Sequence, residues 1–198
     1  MTGTPSDASA GSAHSDDAAL VEQIALGGGS RERAWATLLD RYTPKMWAVA
    51  RSFDLDAHAA EDLVQTAWLR FLERSHQLRD VTALGPWLCM IVRNEARRTV
   101  TRRRTIPVAD GWERLPAVTD APEARVVNAE QVTALRSAFG RLGDECRQLL
   151  SLVLADPPLS YDEIAVALDR PRGSLGPTRQ RCLDHLRRLM PPGMEVRG

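Results

Sequence analysis

The chain has 198 residues, 43% of them hydrophobic, which is enough for one large or two small domains with apolar cores. Its 26 basic and 26 acidic side chains give a net charge of zero, which argues against a uniformly basic nucleic-acid-binding protein. No apolar run approaches the roughly 20 residues that cross a membrane, and the polar residues 1–16 do not resemble a signal peptide. We therefore expect a cytoplasmic protein without membrane insertion, in which residues 1–16 form a disordered tail.

Strand signals are nearly absent, and apolar residues recur at helical spacing through the first half of the chain. A first helix is predicted over about 17–26, where three glycines stop it, and a second over about 31–53. A third begins near Asp56, a plausible N-cap, and a fourth runs from about Gly85 to Arg104. These patterns predict an all-α domain over residues 17–104.

The third predicted helix includes the amphipathic segment 60–73, with Glu61 and Asp62 in its opening turn. Trp68 and Phe71 lie on its apolar side. The pattern is typical of any helix that buries one face, and it also fits a helix that docks on another protein.

The fourth predicted helix is strongly basic, because residues 87–104 contain six arginines and one acid, Glu95. Its exposed side is predicted to carry Arg93, Asn94, Arg97 and Arg98. Pairing within the helix cannot neutralise this charge, so the pattern favours contact with a nucleic-acid backbone. A solvated basic face is the alternative.

Residues 105–125 lose the helical pattern and contain three prolines, which predicts a flexible linker. Helical spacing resumes over 126–191, which predicts a second all-α domain, and residues 192–198 form a tail. The overall prediction is two helical domains joined by a linker.

Residues 160–189 predict a helix-turn-helix. Ser160 and Glu163 form a capping box at the start of its first helix, residues 169–173 make the turn, and Ser174 is expected to cap the second helix. One face of that second helix is apolar and the other carries arginine and glutamine, which suits reading of the DNA major groove. An ordinary helical hairpin with a basic face has the same pattern.

The three cysteines, Cys89, Cys146 and Cys182, are far apart and have apolar neighbours, so we expect buried free thiols. No catalytic motif and no metal-ligand or cofactor-binding spacing is found in the sequence, so we predict no cofactor and a protein that is not an enzyme.

Three segments, in this order, resemble the extracytoplasmic-function group of bacterial sigma factors, in the sigma-70 family. AEDLVQTAWLRFLE (60–73) is similar to the helix that grips RNA polymerase, and PWLCMIVRNEARR (86–98) to the helix that meets the promoter −10 element. SYDEIAVALDRPRGSLGPTRQRCLDHLRRL (160–189) is similar to the helix-turn-helix that reads the −35 element. The resemblance implies sigma domain 2 over 17–104 and sigma domain 4 over 126–191.

The resemblance also implies roles for individual residues. Polymerase would be contacted by Glu61, Asp62, Gln65 and Leu72. The −10 element would be contacted by Arg79 and Asp80 in the loop 76–85, and by Arg93, Asn94, Arg97 and Arg98. The −35 element would be contacted by Ser174, Pro177, Thr178, Arg179, Gln180 and Arg181.

The partners implied are the β and β′ subunits of core RNA polymerase, promoter DNA and an anti-sigma factor. The chain departs from many relatives at Gly176-Pro177-Thr178, where they have basic residues; proline is tolerated in a first helical turn, so the helix is expected to survive. Two other functions fit the patterns less completely. One is a stand-alone dimeric helix-turn-helix regulator, and the other is an interaction protein whose arginine patches are solvated.

Overall fold

The computed structural model describes residues 8–74, 80, 83–104 and 129–191. All regular structure in these residues is α-helical, which confirms the predicted fold class. The helices are α1 (Ala8–Leu26), α2 (Arg31–Arg51), α3 (Ala57–Arg74), α4 (Leu84–Arg104), α5 (Ala129–Gly140), α6 (Asp144–Val153), α7 (Tyr161–Leu168) and α8 (Arg172–Leu189). None of the described helices is long and apolar enough to cross a membrane.

Helix α1 begins well before the predicted start near residue 17. The expectation of a disordered tail is therefore wrong for residues 8–16, while residues 1–7 lie outside the described part. Alanine favours helix in this segment. Directly after it, the fully buried Asp17 accepts hydrogen bonds from Tyr42 and Arg41 of α2 and so attaches α1 to that helix. Gly27 and Gly28, both with positive φ, end α1 as predicted.

Helices α2, α3 and α4 pack on one another through a cluster of aromatic rings. The ring of Trp35 lies 5.3 Å from that of Trp68 and 5.8 Å from that of Phe71. Trp87 of α4 joins the cluster at 6.2 Å from Phe71, which agrees with the interpretation of Trp87 as a core residue. These contacts fix α3 and α4 side by side.

The second helical domain consists of α5 to α8, with α7 and α8 forming the predicted helix-turn-helix. Its core includes Leu149, Leu152 and Leu175. The two domains also touch, because α7 packs against α4 and α6 against α2. The predicted linker 105–125 and tail 192–198 lie outside the described residues.

The expectation of three free thiols is wrong for two of them. Cys146 of α6 and Cys182 of α8 form a disulfide across a Cα–Cα distance of 5.3 Å. The two cysteines are 36 positions apart in sequence and become neighbours only because α6 packs on α8. Cys89 is a buried free thiol as expected, and its burial raises its pKa.

Candidate nucleic-acid interface

Helix α3 presents a continuous exposed stripe. The helix begins at the predicted cap, since the Asp56 carboxylate accepts a hydrogen bond from the Ala59 amide at 2.8 Å. The four predicted polymerase contacts are exposed on one side of it, opposite the buried Leu63, Ala67 and Phe71. This docking stripe consists of Glu61, Asp62, Gln65, Leu69 and Leu72.

Leu69 is a member of the docking stripe that the sequence analysis missed. Its side chain is 60% exposed and that of Leu72 is 48% exposed, although both are large and apolar. Leu69 follows Gln65 by four positions and precedes Leu72 by three, so helical periodicity alone could have placed it on the stripe. An exposed leucine pair beside two acids suits a protein partner.

The polar side chains of α4 point in two directions. Arg93 donates hydrogen bonds to the Val166 carbonyl of α7 at 2.9 Å and to Asp169 at 3.0 Å, and Arg97 donates to Asp169 at 3.1 Å. Arg98 is directed elsewhere and remains exposed. The four predicted −10 residues of α4 therefore share one helix, but only part of their surface is open.

The expectation that Arg93 is exposed is wrong. Its side chain is only 14% exposed, because α7 covers it, and its guanidinium also donates to the Asn94 side chain at 2.9 Å and 3.1 Å. Of the two other predicted −10 residues, Asp80 is exposed and Arg79 lies outside the described residues, as do 76–78 and 81–82 of the loop.

The first helix of the helix-turn-helix has the predicted capping box. The Ser160 hydroxyl accepts a hydrogen bond from the Glu163 amide at 3.2 Å, and the Ser160 amide donates to the Glu163 carboxylate at 2.6 Å. Asp169 ends α7 in the left-handed conformation, with the Arg170 amide bonded to the Ala165 carbonyl at 2.9 Å. The geometry holds the Asp169 carboxylate toward α4.

The recognition helix α8 begins earlier than predicted. Pro171 is its N-cap and Arg172 its first residue, so Ser174 lies inside the helix and its hydroxyl donates to the Pro171 carbonyl at 2.7 Å. The prediction of Ser174 as the cap is therefore wrong. Pro177 consequently lies beyond the first turn, yet α8 continues through it to Leu189.

The outer face of α8 carries Arg179, Gln180 and Arg181, all exposed as predicted, and Pro177 is exposed beside them. The expectation that Thr178 faces DNA bases is wrong. Thr178 is buried, and its hydroxyl accepts a hydrogen bond from Arg181 at 3.1 Å. Of the predicted −35 residues, Pro177 and the tripeptide 179–181 are therefore exposed, and Ser174 is half-buried at the start of the helix.

A buried ion pair connects the two domains, and the sequence did not predict it. The Lys45 ammonium of α2 lies 2.9 Å and 3.1 Å from the two carboxylate oxygens of Glu163 in α7, which is 118 positions away. Lys45 is the only lysine in the chain, and this was the one feature of the sequence that set it apart from the other basic residues. Among the described residues no cluster of histidine, cysteine and acidic side chains is arranged to hold a metal ion.

Residues 38–106 match the family description of sigma-70 region 2, a range that includes α3 and α4. The chain is 28% identical over 190 residues to the ECF RNA polymerase sigma factor SigE of Mycolicibacterium smegmatis, covering 92% of this chain and 70% of that protein. It is 26% identical over 146 residues to the probable RNA polymerase sigma factor RfaY of Xanthomonas campestris. That match covers 70% of this chain and spans only 36% of the relative's length.

The fold is similar to that of the sigma factor RpoE of Bartonella quintana, solved in complex with the anti-sigma factor NepR. The TM-score is 0.57 at 21% identity, and the similarity covers 78% of this chain and 95% of that one. Residues 38–106 thus correspond to sigma-70 region 2, and the chain is similar over most of its length to RNA polymerase sigma factors. These similar proteins include a factor of the extracytoplasmic-function group.

Proposed function

We propose that the chain binds core RNA polymerase in the cytoplasm, directs it to promoters and helps to melt the −10 region. One observation carries the proposal: a region 2 match that includes the docking stripe of α3 occurs in the same chain as a helix-turn-helix with an exposed basic tip at 179–181. A protein with both features contacts polymerase and DNA at the same time.

Each of the two helical domains has its own proposed role. Residues 17–104 bind the β and β′ subunits through the docking stripe and contact the −10 element through α4. Residues 126–191 contact the −35 element through α8, and residues 105–125 connect the two. Neither promoter element is then read alone, which makes DNA recognition dependent on polymerase.

Melting of the −10 region needs a surface that holds an unpaired strand. Arg97 and Arg98 of α4 supply positive charge for the phosphates, and the Asn94 side chain offers hydrogen bonds to base edges. Extruding a base costs only a few kcal/mol, which contacts in a pocket offset. We assign capture of the extruded base to the loop 76–85, which includes Arg79 and Asp80.

We also propose that an anti-sigma factor regulates the chain, since the similar RpoE structure contains one. The docking stripe is a suitable target for it, because a protein bound to Leu69 and Leu72 excludes polymerase from the same surface.

Transcription with purified core polymerase on a promoter library tests the proposal. We expect defined start sites that core polymerase alone does not give. Arg97→Ala/Arg98→Ala should abolish initiation while polymerase binding persists, and Asp62→Ala should weaken polymerase binding. Arg33→Ala/Arg136→Ala is the matched control, because it removes the same charge from exposed positions elsewhere. No initiation above core polymerase alone would contradict the proposal.

A dimeric regulator that acts without polymerase is not favoured. It leaves the region 2 match over residues 38–106 without a role. It also predicts a dimer on two-fold symmetric operators, whereas the sigma function predicts a monomer with little promoter affinity until polymerase is present.

A further inference from the structure

The helix-turn-helix covers part of the DNA-facing side of α4. Helix α7 packs directly on α4, and its C-terminal end meets the arginines of that helix. Arg93 is bound both by a backbone carbonyl of α7 and by Asp169, and Arg97 is bound by the second Asp169 oxygen. Two of the arginines proposed to hold the −10 strand are thus already occupied by a carboxylate.

Glu163 forms the second point of contact. Its side chain is 3% exposed, and its partner Lys45 is 19% exposed, so the pair is largely withdrawn from water. The approach of α4 is close enough that a Cβ at Gly85 would lie 2.4 Å from the Glu163 carboxylate, so any larger residue there would displace that carboxylate. The interface therefore combines a buried ion pair with a charged, more exposed edge at Asp169.

The chemistry of this interface resembles that of the proposed ligand. A carboxylate between two guanidinium groups takes the place that a phosphate oxygen of DNA would take. The Arg97 hydrogen bond and the Arg93 charge hold the pKa of the Asp169 carboxyl below its usual range, so it stays ionised at neutral pH. By contrast, residues 179–181 of α8 are exposed to solvent.

We propose that the α4–α7 interface is an autoinhibitory contact, in which Glu163 and Asp169 of the helix-turn-helix dock on α2 and α4 and occupy the arginines that hold the −10 strand. Single-stranded DNA competes with Asp169 for Arg93 and Arg97. Opening of the interface frees α4 and also releases the helix-turn-helix to reach a −35 element. The inference rests on the proposed function for its biological meaning, but the contact can be measured without polymerase.

The sequence offers a direct reporter, because Lys45 supplies the only lysine ε-amine. Its rate of acetylation by an amine-reactive ester, followed in the full-length chain by mass spectrometry of the peptide that contains Lys45, reports how often the interface is open. The test variant is Glu163→Gln/Asp169→Asn. Glutamine preserves the capping box and asparagine tolerates the left-handed conformation, so the variant removes two charges and keeps both local structures.

The matched control is Asp162→Asn. It removes an acid from the same helix, but Asp162 pairs with Arg172 inside the helix-turn-helix and not with the other domain. Asp169→Asn alone is a second test variant, which leaves the buried Lys45–Glu163 pair intact. Circular dichroism checks that each variant retains its helices. Binding of DNA is measured by the anisotropy of a fluorescein-labelled oligothymidylate.

We expect Lys45 acetylation and oligothymidylate affinity to rise at least fivefold in the double variant, a coupling at the low end of the usual range. Asp169→Asn should raise both by a smaller factor, and Asp162→Asn should change neither. Because coupling is reciprocal, oligothymidylate should also accelerate Lys45 acetylation in the wild-type chain.

Equal acetylation of Lys45 in the wild-type chain and the double variant would overturn the inference, since the domains would then not be docked in solution. Faster acetylation without tighter DNA binding would also overturn it, because the contact would not be inhibitory. Failure of the sigma function is a different result: transcription with core polymerase would be absent, whatever the acetylation rates.

Discussion

Arg70 of α3 and Glu95 of α4 form an ion pair at 3.2 Å, and the same Glu95 oxygen accepts a hydrogen bond from Arg98 at 2.8 Å. One carboxylate thus connects the helix proposed to bind polymerase with an arginine proposed to bind DNA. Glu95 is only 17% exposed, and these two guanidinium groups lie against its carboxylate.

Glu95→Gln should destabilise the chain by about 1–2 kcal/mol, because it leaves the partly buried Arg70 without its charged acceptor. Urea unfolding measures this change. Glu73→Gln, which neutralises an exposed acid of α3, should change the free energy of unfolding by less than about 0.5 kcal/mol. Equal stability of the two variants would show that the Arg70–Glu95 pair is not formed in solution.

Leu69→Ser should weaken binding of core polymerase about tenfold without changing stability. The side chain is exposed on the docking stripe, so its loss removes apolar contact area from the complex and almost none from the folded core. Surface-immobilised polymerase and thermal unfolding measure the two effects. Leu26→Ser is the control, because Leu26 is even more exposed but lies at the end of α1. Equal losses of polymerase binding in Leu69→Ser and Leu26→Ser would show that Leu69 is not part of the polymerase-binding surface.

Local sequence signals predicted much of this structure. The capping box of Ser160 and Glu163, the Asp56 cap and the glycines after α1 are all short-range devices, and each is present. The burial of Thr178 could also have been predicted. It follows Leu175 by three positions and precedes Cys182 by four, so it lies on the apolar stripe of α8 rather than on its DNA face.

The interface between the domains could not be predicted in the same way. Nothing in the α2 or α7 sequence indicates that Lys45 and Glu163 meet, and their pairing depends on how α7 packs against α2 and α4. The same packing decides that Arg93 is covered while Arg98 remains exposed. Helical periodicity predicts the face on which a side chain lies, but not which element covers that face.

Gln180→Ala and Thr178→Val should separate base reading from helix packing. Gln180 is exposed on α8, so its loss should relax the preference for one −35 base pair by about 1–3 kcal/mol. Thr178 is buried, and its replacement removes the acceptor of Arg181 without removing a base contact. Selection of −35 sequences from a randomised promoter library, in the presence of polymerase, measures both. A changed base preference in Thr178→Val alone would contradict the assignment.

The Cys146–Cys182 disulfide makes stability depend on redox conditions. Its 36-residue sequence separation corresponds to about 4 kcal/mol of loop-closure entropy, an upper value for its contribution to stability. We expect dithiothreitol to lower the thermal unfolding midpoint by several degrees. Cys146→Ser/Cys182→Ser should be insensitive to dithiothreitol, while Cys89→Ala should keep the response of the wild-type chain.

The number of free thiols provides an independent check on the same bond. The denatured, unreduced chain should contain one reactive thiol, that of Cys89, and the reduced chain should contain three. In the folded chain the Cys89 thiol should resist alkylation at neutral pH, because its burial excludes the reagent and raises its pKa. A reducing compartment opens disulfides, so the ratio of these forms in cells reports whether α6 and α8 are cross-linked where the chain works. Three thiols in the unreduced chain, purified under oxidising conditions, would show that the bond does not form.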